Sequence, residues 1–142
     1  MARTSGGAMR AVDTDVLVRL LARDDERQTA AAEAFVAGGA WVSHLVLAET
    51  LWVLESVYEV AAPARAQAVE MLLNHRELSV QDPEVVERAL AHFRERPALG
   101  FSDCLVLEIG RKAGHGPLGT FDRDLATVEG VEFLGGGRQR SR

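Results

Sequence analysis

Apolar residues along this chain alternate between short consecutive runs and stripes at helical spacing. Residues 8–12 (Ala-Met-Arg-Ala-Val) form a strand candidate, followed by a stripe at Val16, Leu17, Leu20 and Leu21 that predicts a helix. Gln28 to Val36 is an Ala-rich helix stopped by Gly38-Gly39. Trp41-Val-Ser43 is a second strand, and Leu45 to Val57 a strongly apolar helix. Pro63 opens a helix to about Arg76, and Leu78-Ser-Val80 is a third strand. Pro83, after Asp82 as a candidate N-cap, starts a helix ending near Pro97. Ser102 reads as the N-cap of a helix to about Lys112, and Gly116–Phe121 and Val131–Leu134 supply two last strands. Strands separated by helices predict an α/β domain with a parallel sheet covered on both faces. Ligands of such sheets gather beyond the carboxyl ends of the strands, near a reversal of strand order.

With 142 residues, the chain has room for one domain with a real core. The patterned part, 9–134, is that domain; 1–8 reads as a flexible N-terminal extension and 135–142 as a flexible basic tail. Cys104 is the single cysteine, which rules out an internal disulfide and points to a reducing, cytoplasmic setting. No apolar run approaches the roughly 18 residues that span a bilayer, so no membrane partner is expected. The net charge of −5 argues against nucleic-acid binding through a strongly basic surface. It leaves room for an acidic metal site, where a cation reverses the local field.

The chemistry concentrates in acids placed where strands end or helices begin. They are Asp13 in Ala11-Val-Asp-Thr-Asp-Val-Leu17, Glu49 in Leu45-Val-Leu-Ala-Glu-Thr-Leu51, Asp103 in Phe101-Ser-Asp-Cys-Leu105, and Asp122 in Gly119-Thr-Phe-Asp-Arg-Asp-Leu125. The α/β pattern lets all four point into one crevice. Grouped carboxylates repel one another, and Mg²⁺, which takes oxygen ligands, removes that repulsion. A bound cation would orient a phosphate, lower the pKa of a water and stabilise a leaving oxygen. Each acid also has a plain structural reading. Asp13 could make an Asx-turn, Asp103 could favour a helix dipole, and Asp122 with Asp124 could cap a short helix. Glu49, among Leu45, Val46, Leu47, Leu51 and Trp52, is the least natural as a solvated residue.

Thr14 and Thr120 lie within two residues of these acids, where a hydroxyl can fix a carboxylate or serve a turn. His44 and His115 lack ligand spacing to another His and read as surface or capping residues, and His75 and His92 as ordinary helix residues. Cys104 reads as a small buried hydrophobe.

Taken together, Val12-Asp-Thr-Asp-Val-Leu17, Leu47-Ala-Glu-Thr-Leu51, Phe101-Ser-Asp-Cys-Leu105 and Gly119-Thr-Phe-Asp-Arg-Asp-Leu125 resemble the four acidic motifs of PIN-domain proteins. Within that superfamily the chain looks most like VapC-type toxins of bacterial toxin–antitoxin pairs. The resemblance implies a three-layer α/β/α fold with a central parallel sheet and a Mg²⁺- or Mn²⁺-dependent endoribonuclease leaving a 5′-phosphate and a 3′-hydroxyl. It places Asp13, Glu49, Asp103 and Asp122 around the metal, with an RNA substrate, a cognate antitoxin and a homodimer. The family often has Asn two residues after its first Asp; here the residue is Asp15, read first as a helix cap and second as a further metal contact. Asp124 could share the role given to Asp122.

Two other readings compete. Asp13-Thr-Asp15 after a strand also resembles the first motif of haloacid-dehalogenase-like phosphatases, with Lys112, the single lysine, to steady a phosphoryl group. That pattern leaves Glu49 unexplained. A catalytically silent PIN-fold binding module is the second, against which the intact acids argue.

Overall fold

A computed structural model describes residues 9–135, in two compact units divided after Pro83. The proposed extension 1–8, and all of the proposed tail 135–142 except Gly135, lie outside the described residues.

Unit 1 holds three parallel strands in the order β1-β2-β3: β1 (Arg10–Ala11), β2 (Ala40–Val42) and β3 (Leu78–Val80). Parallel neighbours need long crossovers. Here α1 (Thr14–Ala22) and α2 (Glu26–Val36) join β1 to β2, and α3 (His44–Ser56) and α4 (Ala62–Asn74) join β2 to β3. Ala40 lies opposite Leu78, and Val42 opposite Val80. This register puts four buried side chains on one face and leaves Trp41 and Ser79 on the other. Leu17, Val18, Val36, Leu47, Leu51, Leu54, Val69 and Leu72 complete the core, each large aliphatic contributing about 1.5–3 kcal/mol by leaving water. Within this sheet the strands follow chain order, without a reversal.

Unit 2 contains α5 (Pro83–Glu95, entering from the last residue of unit 1), α6 (Phe101–Lys112) and a parallel pair, β4 (Leu118–Thr120) and β5 (Val131–Phe133). Val85, Val86, Ala89, Leu90 and Phe93 form the buried stripe of α5. Phe93 meets Phe101 of α6 edge to face, with ring centres 6.0 Å apart.

Every predicted helix and strand is present, with ends that agree to within two residues. Three caps differ from expectation. Ser102 lies inside the first turn of α6, and Gly100, at φ +82°, occupies the cap position; a side chain there would be strained. Asp82 has φ +38°, outside the extended region usual for a cap. Asp13, not Asp15, caps α1. Among the described residues, no helix is long and apolar enough to cross a membrane.

Candidate functional site

In unit 1, Asp13 follows β1 and has the extended backbone of an N-cap; its Oδ1 accepts from the Val16 amide at 3.3 Å. Asp15 sits in the first turn of α1, exposed, beside a groove of about 470 Å³ that Arg19 and Phe35 also line. Glu49 lies midway along α3, whose start is set by Ser43 accepting from the Val46 amide. The helix buries His44, Leu47, Thr50, Leu51 and Leu54 and turns Glu49 to solvent, so Glu49 is exposed despite its apolar neighbours in sequence. The Thr14 hydroxyl donates to Glu49 Oε1 at 2.8 Å. Of the two roles open to Thr14, the bond is to a carboxylate rather than to a turn, and the carboxylate is that of Glu49 on another helix, not that of adjacent Asp13. The bond joins the start of α1 to the middle of α3.

In unit 2, Asp103 is half-buried in the first turn of α6. Burial first, and the charge of Asp122 second, raise its carboxyl above the usual range. Asp122 closes a tight loop after β4, with its Oδ1 accepting from the amides of Asp124 at 2.8 Å and Leu125 at 3.3 Å. The Thr120 hydroxyl accepts from the Asp122 amide at 3.0 Å, so Thr120 serves the turn rather than the carboxylate. Asp124 occupies the cap position of the short 3-10 turn 125–127 without a side-chain capping bond. The capping reading thus holds for Asp122 alone.

Each unit therefore brings together part of the predicted set: Glu49 with Thr14 near the Asp13 cap in one, Asp103 with Asp122 in the other. Among the described residues, no group of three or more His, Cys, Asp or Glu side chains is arranged to hold a metal ion. The oxygen donors that are present fit a hard cation such as Mg²⁺, which keeps several waters and needs only one or two carboxylates. A cation beside Asp103 would offset the cost of burying its charge and the repulsion from Asp122 that together raise its carboxyl.

Residues outside the predicted set also carry polar structure. Glu108 is buried at 2% exposure, with His92 Nε2 at 2.7 Å and Arg111 Nη1 at 3.2 Å from its Oε2. Its sequence signal was legible: Phe101, Cys104, Leu105 and Glu108 recur at i, i+3, i+4 and i+7, which puts an acid on the apolar face of α6. His92, expected to be an ordinary helix residue, is this acid's partner. His44, expected at the surface or in a cap, is buried, and its Nε2 lies 2.7 Å from the Gln81 carbonyl. His75 ends α4, with Nδ1 accepting from the Glu77 amide. Cys104 is buried as expected; burial, then the charges of Asp103 and Glu108, push its thiol up to about 11.

The family model of the PIN domain matches residues 10–131, which include all four acidic motifs. The chain belongs to the PIN domain family. Among solved structures, this PIN-domain chain is similar to VapC20 from Mycobacterium tuberculosis, described as a sarcin-ricin loop cleaving toxin. The identity is 22%, over 86% of this chain and 96% of that one, with a TM-score of 0.38. No curated protein matches the chain. Membership of the PIN family sets aside the phosphatase reading, and Lys112, which that reading needed, is paired with Glu84.

Proposed function

We propose that this PIN-domain chain is a metal-dependent endoribonuclease and the toxin of a toxin–antitoxin pair. The observation that carries the reading is the order and setting of its acids. All four motifs fall within the matched span, and in unit 2 the charge of Asp122 adds to burial in raising the carboxyl of Asp103. A binding module gains nothing from that repulsion, whereas a cation site uses it.

In this reading Asp13, Glu49, Asp103 and Asp122 would hold Mg²⁺ or Mn²⁺, with Asp15 as a further metal contact and Asp124 sharing the role of Asp122. The chemistry supplied by the bound ion is activation of water and neutralisation of charge on the phosphate. The chain's own part is positioning. The Thr14 hydroxyl holds one oxygen of Glu49 and leaves the other free to ligate. The amides of Asp124 and Leu125 hold Oδ1 of Asp122, which fixes the carboxylate within its turn. Half-burial of Asp103 removes competing water from its carboxylate and strengthens its hold on a cation. The products are a 5′-phosphate and a 3′-hydroxyl. The active form is a homodimer in the cytoplasm, and a cognate antitoxin protein blocks the site.

The test is 5′-end mapping of cellular RNA after incubation with the purified chain and Mg²⁺ or Mn²⁺, beside EDTA and Asp103→Asn controls. Discrete 5′-phosphate ends absent from both controls are expected. Metal binding without new ends would overturn the nuclease reading in favour of the silent binding module.

A further inference from the structure

The chain has 2 Trp, 1 Tyr and 5 Phe, and five of the eight have partners within their own unit. Phe93 and Phe101 are buried against each other. Phe35 lies under the Arg10 guanidinium and Phe133 under that of Arg123. The Tyr58 hydroxyl donates to Asp24 and accepts from Arg19, and Trp41 sits within β2 at 38% exposure. The two that remain are the most exposed aromatics of the described chain: Phe121 at 76% and Trp52 at 63%.

Both stand beside an acid of the proposed site. Trp52 follows Glu49 by three residues on α3, and Leu45, 68% exposed, precedes Glu49 by four. Positions 45, 49 and 52 fall on one helical face, so the carboxylate is flanked along the helix by apolar surface. Phe121 immediately precedes Asp122, in the turn pinned by the Thr120 hydroxyl and by the two amides on Asp122 Oδ1. That pinning presents the phenyl ring from a fixed backbone.

We infer that Trp52 and Phe121 are base-stacking residues, which hold unpaired nucleotides of the RNA substrate beside the acids. The inference rests on the nuclease reading and says how that site takes its substrate. An acidic chain, with net charge −5, lacks the cation excess that grips phosphates by itself. Aromatic faces supply affinity that does not depend on charge, and they accept any base whose face is open.

The test uses the full chain. In a Trp41→Phe background Trp52 is the only tryptophan, and its emission is followed in EDTA during titration with a single-stranded oligoribonucleotide or its blunt duplex. Quenching by the single strand and little by the duplex is expected. In cleavage assays with Mn²⁺, Trp52→Ala and Phe121→Ala each raise KM about tenfold, the scale of one lost base stack, with little change in kcat. Trp52→Phe and Phe121→Tyr restore KM. A wild-type chain that cleaves RNA, with KM unmoved by both alanine variants, would sink the stacking role and leave the nuclease reading standing. A chain that cleaves nothing while the single strand still quenches Trp52 would do the reverse. Loss of a dimer in sedimentation of Trp52→Ala, with KM unchanged, would reassign Trp52 to a protein interface and overturn its part.

Discussion

Replacing Asp13 by asparagine and, separately, by alanine distinguishes its two jobs. Its Oδ1 accepts from the Val16 amide at the start of α1, and the proposed function gives its charge a second role, holding a metal ion. Asparagine is as good an N-cap as aspartate, whereas alanine removes the acceptor at a typical cost of about 1 kcal/mol. The capping contact is 3.3 Å long and the residue is exposed, which argues for a loss near about 1 kcal/mol rather than at the top of the range. In urea, with an m-value of about 2 kcal/mol per M, Asp13→Ala should lower the midpoint by about 0.5 M. Asp13→Asn should stay close to wild type, short only of a small charge–dipole contribution of roughly a few tenths of a kcal/mol. Cleavage should behave differently. Both variants lose a charged ligand, and activity should fall at least about 100-fold in each, since even residues that merely orient ligands cost 10–100-fold. The assays are urea unfolding without metal and single-turnover cleavage with Mn²⁺. An asparagine variant that cleaves like wild type would refute the metal role and leave Asp13 a cap alone. An asparagine variant as unstable as the alanine one would refute the capping argument.

Four further outcomes are expected. Thr14→Val keeps the shape of the side chain and removes the donor to Glu49; with Glu49 exposed, the loss is about 1 kcal/mol, read as a roughly fivefold weaker Mn²⁺ half-saturation of cleavage, and an unchanged midpoint would refute the orienting role. Asp103→Asn should stabilise the metal-free chain at neutral pH. The raised carboxyl of Asp103 favours folding fully below its unfolded value of about 4, and that contribution is lost as pH rises through the folded value. The variant's advantage in urea should therefore grow from acid towards neutral pH, and a variant less stable than wild type at neutral pH would contradict this. His92→Ala leaves buried Glu108 with one fewer partner and should cost about 2 kcal/mol, the scale of a hydrogen bond to a charged group; a loss below about 0.5 kcal/mol in denaturant titration would show the pair is idle. Cys104, buried with its thiol near 11, should resist a thiol-reactive disulfide at pH 8 until the chain is unfolded, and rapid native labelling would refute its burial.

Much of this protein was legible in its residues, because periodicity and turn chemistry act locally. The stripe at Val85, Val86, Ala89, Leu90 and Phe93 had one way to be buried as a helix, and Pro83 marked where it starts. The alternation of strands with helices led to parallel pairing, since short hairpins were absent from the pattern. The four acidic motifs were readable as spacing, and they match the family over residues 10–131.

What only the tertiary structure decided is which groups meet across distance in the chain. Thr14 adjoins Asp13 in sequence, yet its hydroxyl finds Glu49, 35 positions away, because the packing of α1 on α3 sets that distance. Glu49 looked embedded in an apolar run, but α3 buries one face only, and rotation about its axis turned Glu49 and Trp52 to water together. His92 gave no sign of a partner until α5 and α6 brought it to Glu108, 16 residues on. Local sequence chooses each helix and its apolar face, through backbone propensity and the gain from burying that face. Which polar atoms then come within hydrogen-bond reach depends on how the faces seat against one another, and single-chain periodicity carries no record of that.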